Sequence, residues 1–448
     1  MKQKMRIGVA ILILGLWASL TFGSSPEIGS YSQMEFQPPA ADNGELLIDF
    51  DNADSQSSIA AFLARAGLKT SQYSWFSTDE QWVRVRTVTS ALRELLRRAS
   101  DVEGVEPNYY MSAFAIPNDP YYKSQWHLDQ IGMRRAWDYP AGGPVTVAVI
   151  DTGIAYEKHN DSFRVEDLGE SQFVEPYNFV DGTNHANDDH GHGTHVAGTI
   201  AQLTNNGVGV AGIAPAVKLM PLKVLNASGY GTISDIAAAI RYAADHGAQV
   251  INMSLGGPIP SRILHKAVQY AHNKGVVIVC AAGNGGGSGL SYPAAYPECI
   301  SVSAVRYDGQ LAWYSSYGEG LTIAAPGGDM RVDQNGDGLM DGVLQNTLNP
   351  QDRTAQGYFL FQGTSMAAPH VAAVAALLVS QGVTDPEKVR KYLTGSATKV
   401  KDGTAEKYGA GIVNAADALE SAFLGRKIRL GAFALVLLIA ILTVLNRG

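Results

Sequence analysis

Val145-Thr146-Val147-Ala148-Val149-Ile150-Asp151-Thr152-Gly153 is the stretch on which the fold turns. An unbroken run of apolar and β-branched residues, closed by an acid and a glycine turn, reads as a strand buried on both faces. Downstream, strand-like and helix-like runs alternate at 194–203, 218–225, 234–246, 250–253, 262–273 and 276–280. That alternation predicts an α/β fold: a mostly parallel β-sheet covered by helices on both faces, with chemistry outside the carboxyl ends of the strands. Asp151 stands at such an end, where a glycine turn lets a carboxylate be half-buried and aimed inward. An ordinary Asx turn is the plain alternative.

Three further segments fall at equivalent places. His190-Gly191-His192-Gly193-Thr194-His195 opens a helical pattern, and its glycines leave the His192 ring free to project as a general base oriented by a carboxylate. The same cluster, His190, His192 and His195 with Asp188 and Asp189, also has the residue types of a zinc site. Gly363-Thr364-Ser365-Met366-Ala367-Ala368-Pro369-His370 places Ser365 at a helix N-terminus, where free N–H groups favour developing negative charge, and Pro369 near the first turn. A simple helix cap is the competing reading of the serine. Asn284 ends the strand-like run 276–280 in Ala281-Ala282-Gly283-Asn284, which puts an amide donor on the same edge; a left-handed turn-former is the alternative.

Together these words, in the order Asp, His, Ser, resemble the subtilisin family of serine proteases over about residues 117–423. The resemblance implies Ser365 as nucleophile, His192 as base then acid, Asp151 as its orienting carboxylate, and Asn284 with the Ser365 N–H as oxyanion donors. It further implies that an extended peptide is added as a strand between Ser228-Gly229-Tyr230-Gly231 and Ser254-Leu255-Gly256-Gly257. Glycines there let two backbones approach. No acid follows Asn284 until Glu298, so an apolar or neutral P1 residue is expected. A zinc hydrolase built on the histidines and an inactive membrane-attached binding protein are the two readings from other classes.

An insertion at about 327–358 contains Asp333-Gln334-Asn335-Gly336-Asp337-Gly338-Leu339-Met340-Asp341. Oxygen-bearing side chains at alternate positions and glycine at the sixth reproduce the start of a calcium loop, with Asp333, Asn335, Asp337, the Leu339 carbonyl and Asp341 as donors. The twelfth position is Leu344, not glutamate. Asn205 and Asp161 are further candidate calcium ligands. Cys280 and Cys299 lie on expected neighbouring strands; a disulfide and two buried thiols both fit.

Ahead of residue 117, segments at 45–50, 57–66, 71–77, 81–87, 89–99 and 105–110 follow a β-α-β-β-α-β order. This is a small ferredoxin-like α+β domain at 44–112. By the same family resemblance it is a propeptide, an intramolecular inhibitor that the enzyme cuts between Tyr110 and Asn118; a permanent binding module is the alternative. Residues 1–23 read as a signal peptide for export to the extracellular space or cell envelope, and 24–43 as a linker. The apolar run inside 426–448 reads as a membrane anchor or sorting tail. The whole chain of 448 residues carries a net charge of −8, which excludes a strongly basic nucleic-acid binder. The partners expected from the resemblance are protein or peptide substrates, with no nucleic acid.

Overall fold

The computed structural model describes residues 45–425, apart from scattered positions between 51 and 115 and the short stretches 140–142 and 170–171. The expected signal peptide, linker and C-terminal anchor lie outside the described residues. Among the described residues no helix is long and apolar enough to cross a membrane. The chain divides into two compact units, 1–112 and 113–448.

In the first unit, β1 (Leu46–Phe50), β2 (Tyr73–Trp75), β3 (Trp82–Val85) and β4 (Val102–Pro107) form one antiparallel sheet in the order β2-β3-β1-β4. Helix α1 (Gln56–Arg65) buries Ile59, Phe62 and Leu63. Those positions, spaced by three and four residues, fall on one helical face. They meet Ile48, Phe50, Val83 and Val85 of the sheet in a separate core. The second helix expected at 89–99 lies largely outside the described residues.

The second unit is built on a seven-stranded sheet, parallel throughout. Its strands are β5 (Thr146–Asp151), β6 (Tyr177–Asn178), β7 (Lys218–Lys223), β8 (Val250–Met253), β9 (Val277–Ala281), β10 (Cys299–Val305) and β11 (Ile323–Pro326), in the order β11-β10-β9-β8-β5-β7-β6. Side chains alternate faces along a strand. Val147 and Val149 therefore enter one core with α2 (His192–Ala201) and α5 (Thr364–Ser380), while Ala148 and Ile150 enter the other with α3 (Ile233–Asp245) and α4 (Arg262–Asn273). Helices on both faces explain why β5 is an unbroken apolar run. Thr232 and Ser261 cap α3 and α4 by accepting from Asp235 N and Leu264 N, which satisfies amides the helices leave open.

The insertion holds more than a loop. Strand β12 (Val343–Leu348) pairs antiparallel with β13 (Gln356–Phe361), Val343 opposite Phe361, and this hairpin packs beside α2. Cys280 and Cys299 lie on neighbouring strands, both buried and unbonded. Burial, with a hydrogen bond to Cys299, pushes the Cys280 thiol well above its usual range.

Candidate active site

The carboxyl end of β5 delivers Asp151, which is fully buried. Its Oδ1 accepts from Thr152 N at 2.7 Å and from His192 Nδ1 at 2.7 Å. His192 is the first residue of α2, after Gly191 at φ 98°, a left-handed backbone that glycine adopts without strain. Burial disfavours a charge on the His192 ring, but the Asp151 carboxylate outweighs it and raises the imidazole above its ordinary range. A Cβ on Gly193 would lie 2.1 Å from Gly153 O, so only glycine lets the histidine helix approach the aspartate turn this closely.

What fixes that approach is Asp188, which the sequence offered only as a metal ligand. It is buried, and its Oδ1 accepts from Thr152 Oγ1 (2.8 Å), His190 N (2.9 Å) and Gly191 N (2.9 Å). Its Oδ2 accepts from Thr194 N (2.9 Å) and Thr194 Oγ1 (2.6 Å). One carboxylate thus ties the Asp151 turn to the first turn of α2. Lys223, buried on β7, adds a second tie by donating to Thr152 O (2.7 Å), Leu225 O (2.9 Å) and Asp189 Oδ1 (2.6 Å). Arg353, at the turn of the β12–β13 hairpin, bonds Asp189 O and Ala227 O. Replacing Asp188 with Ala strands several buried donors and is expected to cost about 3 kcal/mol or more. Thermal unfolding in a Ser365→Ala background measures it, and an unchanged Tm would refute this tie.

Ser365 is the second residue of α5, and its Oγ donates to Ser254 O at 3.1 Å rather than to His192. Pro369 sits in the second turn of α5, not the first as expected. Its missing N–H leaves Ser365 O without a helical partner. Ser254 Oγ fills the gap at 2.8 Å. Asn284 Oδ1 accepts from Thr364 N and Thr364 Oγ1, both at 2.9 Å. The amide is thus held by its oxygen, and Nδ2 is the end that can donate. A Cβ built on Gly363 would lie 3.6 Å from both Asn284 Nδ2 and Ser365 N, so the two donors flank one spot beside Ser365.

Gly229, Tyr230, Gly231, Ser254, Leu255 and Gly256 all line one groove of about 590 Å³ with His192. A Cβ on Gly231 would lie 2.1 Å from Val224 O, so this edge needs glycine for its own backbone packing. Tyr230, and beyond the six Ile259, are among the most exposed large apolar side chains of the described residues, at 75% and 72%. Ile233 and Leu264 line the same groove, giving it an apolar floor that motif spacing did not show.

The histidine cluster does not make a metal centre. His195 is fully buried, its Nε2 donating to Val343 O (3.0 Å) and Phe359 O (3.2 Å), and Asp188 is spent on backbone donors. Among the described residues no group of three or more His, Cys, Asp or Glu side chains is placed to hold a metal ion. Asp161 is exposed. The acids beside Asn205 are instead Asp119, whose Oδ2 accepts Asn205 N (2.9 Å), and Asp167, which accepts Asn206 Nδ2 (2.9 Å) and Val210 N (3.0 Å). Burial pushes the Asp167 carboxyl up to about 7, and Asp119 Oδ1 is buried without a partner.

A fully parallel sheet with aspartate, histidine and serine brought to one edge in that chain order is the frame of a subtilisin-like serine endopeptidase. The chain belongs to the subtilase family, whose profile matches residues 142–411. It is 42% identical over 311 residues to a thermophilic serine proteinase of a Bacillus species, covering 69% of this chain and 71% of that one. Thermitase of Thermoactinomyces vulgaris is 37% identical over 305 residues, covering 68% of this chain and 99% of its own. A solved protease from Pseudoalteromonas arctica superposes with a TM-score of 0.62 at 34% identity, covering 69% of this chain and all of the other. These comparisons support neither the zinc hydrolase nor the inactive binding protein.

Proposed function

We propose that Asp151, His192 and Ser365 cleave peptide bonds as a triad, with Asn284 Nδ2 and Ser365 N as oxyanion donors. The observation that carries this is the 2.7 Å His192–Asp151 bond beside the two donors around Gly363. Ser365 Oγ turns from Ser254 O toward His192 Nε2, gives it a proton, and attacks the scissile carbonyl carbon. The carbonyl oxygen becomes an oxyanion between Asn284 Nδ2 and Ser365 N. His192 then protonates the leaving amine, and water, deprotonated by His192, hydrolyses the acyl-serine and restores the hydroxyl. Asp151 holds Nδ1–H throughout and keeps Nε2 the basic nitrogen. The substrate lies as a strand between 229–231 and 254–256, and the exposed Tyr230 and Ile259 favour apolar side chains some positions before the cut.

Replacing Asn284 with Ala should lower kcat by about 10²–10³-fold with little change in KM, a magnitude taken over from subtilisin itself. Steady-state kinetics on a fluorogenic peptide reads it. An equal rise in KM instead would assign Asn284 to ground-state binding.

The enzyme is made as an exported zymogen. The basic residues Lys2, Lys4 and Arg6 before an apolar run support signal-directed export, and the compact 44–112 unit supports a propeptide that inhibits its own protease. The apolar run in 426–448 supports contact with a membrane or a sorting system after export. Calcium is the structural cofactor: the buried, unpartnered Asp119 Oδ1 beside Asp167 fits a cation held with oxygens of residues 205–210. Such an ion would offset two buried carboxylates and lock the loop. Intact mass of the full chain tests the zymogen: wild type sheds its first ~110 residues or so, judged from unit size, while Ser365→Ala keeps them. A wild-type chain that stays whole yet is active would make 44–112 a permanent module.

A further inference from the structure

The groove at 229–231 and 254–256 serves the substrate on one side of Ser365, and no residue lining it comes from the chain between Pro293 and Ser365. That later chain packs directly against the two oxyanion donors. Two residues beyond Asn284, Gly286 N donates to Tyr314 O at 2.7 Å, and a Cβ on Gly286 would lie 2.9 Å from Trp313 O. Two residues before Ser365, Gly363 N donates to Gly327 O at 3.0 Å, and a Cβ on Gly327 would lie 2.8 Å from Gly363 O. Next to Gly363, Gln362 Oε1 accepts from Met330 N at 2.6 Å.

What these two segments show to solvent is apolar and held rigid. Trp313 and Met330 are both exposed, although each is the kind of side chain a fold prefers to bury. The Arg331 guanidinium lies over the Trp313 ring, 4.4 Å from its centroid. Its charge is already taken, because Nε and Nη2 each donate at 2.9 Å to the fully buried Asp329. Arg331 therefore acts as a flat clamp on the indole and not as a free cation. Tyr314, the residue after Trp313, is buried, and its hydroxyl donates to Gly328 O at 2.8 Å, which ties the two segments together. A large apolar surface fixed in advance loses little conformational freedom when it binds.

We propose that Trp313, clamped by Arg331 and flanked by Met330, is a leaving-side platform that takes a large apolar side chain, aromatic above all, from one of the first two residues after the scissile bond. The proposal rests on the triad reading above and names what that site selects on its other side. An extended peptide advances about 3.3 Å per residue. A chain that enters along 229–231 and 254–256 and crosses Ser365 therefore passes, within a residue or two, onto the segments packed behind Asn284 and Gly363. Those are the segments that carry Trp313 and Met330. An indole with one face covered by a guanidinium and the rest open offers stacking and apolar contact, so an aromatic ring gains more there than glycine does. With the Arg331 fork spent on Asp329, an acidic residue gains no partner.

The test lets the acyl-serine choose between nucleophiles, in the full wild-type chain. A peptide ester acylates Ser365. Water then releases the acid, whereas an added dipeptide amide attacks the same carbonyl carbon, passes its amine proton through His192 to Ser365 Oγ, and departs as the new peptide. Both products come from one intermediate, so their ratio reads leaving-side binding alone, whatever the groove contributes. Phenylalanyl-glycinamide or glycyl-phenylalaninamide should outcompete glycyl-glycinamide by about 10-fold, the scale of one aromatic contact in an apolar site. Trp313→Ala should erase that advantage and leave kcat/KM for ester hydrolysis unchanged, while Trp313→Phe should restore most of it. An aromatic amide with no advantage in wild type, or one whose advantage survives in Trp313→Ala, would overturn the platform. So would a preference for glutamyl-glycinamide, which would make Arg331 an anion site. A chain that hydrolyses no ester at all would instead remove the triad reading, and this inference with it.

Discussion

Replacing Ser365 with Ala is expected to lower kcat by about 10⁶-fold while leaving KM and the fold nearly intact, a magnitude taken over from subtilisin. The change removes the hydroxyl at the second residue of α5, beside the oxyanion donors. What remains is water attack assisted by Asn284 Nδ2, the Ser365 N–H and substrate positioning, and such assistance leaves a residual ~10³–10⁴-fold over the uncatalysed reaction. Stability should move by about 1 kcal/mol at most, because the lost contact is one neutral hydrogen bond to Ser254 O. Initial rates on a peptide substrate, with Tm recorded in parallel, separate the outcomes. Retention of even a few per cent of wild-type kcat in pure Ser365→Ala protein would place the nucleophile elsewhere.

Acid should unfold the peptidase unit steeply below about pH 6, because its core keeps three neutral histidines. His127, His195 and His370 are fully buried. His370 Nδ1 donates to Met366 O at 2.7 Å, so its Nε2 accepts from His127 Nδ1 at 2.8 Å, and His127 Nε2 is left with no partner. Burial lowers all three: His195 to about 3, His370 to about 4, and His127 well below its ordinary value. A base with a depressed folded pKa contributes stability that is whole above the unfolded value of about 6.5 and is lost as pH falls toward the folded one. Each histidine therefore removes about 1.4 kcal/mol per pH unit across that window. In calcium-free protein Asp167, raised to about 7, runs the other way, since the folded protein keeps a proton the unfolded chain would release, and it cancels one share. His192, raised rather than lowered, is protonated in both states below pH 6.5 and adds no slope there. The net is roughly 3 kcal/mol per pH unit, or about 6 kcal/mol over two units, as much as the whole stability of a domain at the lower end of the typical 5–15 kcal/mol. Denaturant midpoints of Ser365→Ala protein between pH 7 and 4.5 measure it. His127→Gln should make the fall shallower by one proton's worth, and a flat profile in wild type would contradict the account.

The parts of the site legible in the sequence are those written as contiguous words. Asp-Thr-Gly at a strand end, His-Gly-Thr-His at a helix start and Gly-Thr-Ser-Met-Ala at another each carry their own local geometry, and an unbroken apolar β5 announced the parallel sheet. What stayed hidden depends on pairing across the chain. Lys223 reaches Thr152 O over 71 positions and Arg353 reaches Asp189 O over 164, separations that no local pattern encodes. The β12–β13 hairpin was missed because Gln345, Asn346 and Thr347 are buried although polar, so the usual alternation of apolar and polar positions is absent. Asp161 and Asp167 are equivalent acids on paper; only the fold buries the second beside Asn206. Pro369 was placed one turn too early, because the helix begins at Thr364 rather than beside the proline. That shift has a use, since it leaves the Ser365 carbonyl free for Ser254.

The central claim is that Ser365 is a nucleophile activated by His192. The most direct measurement is reaction of the full chain with a serine-directed peptidyl phosphonate, followed by mass mapping of the adduct. The account predicts a single adduct on Ser365, formed orders of magnitude more slowly in His192→Ala and absent in Ser365→Ala. An adduct on another serine, or a labelling rate on Ser365 that does not respond to loss of His192, would contradict it.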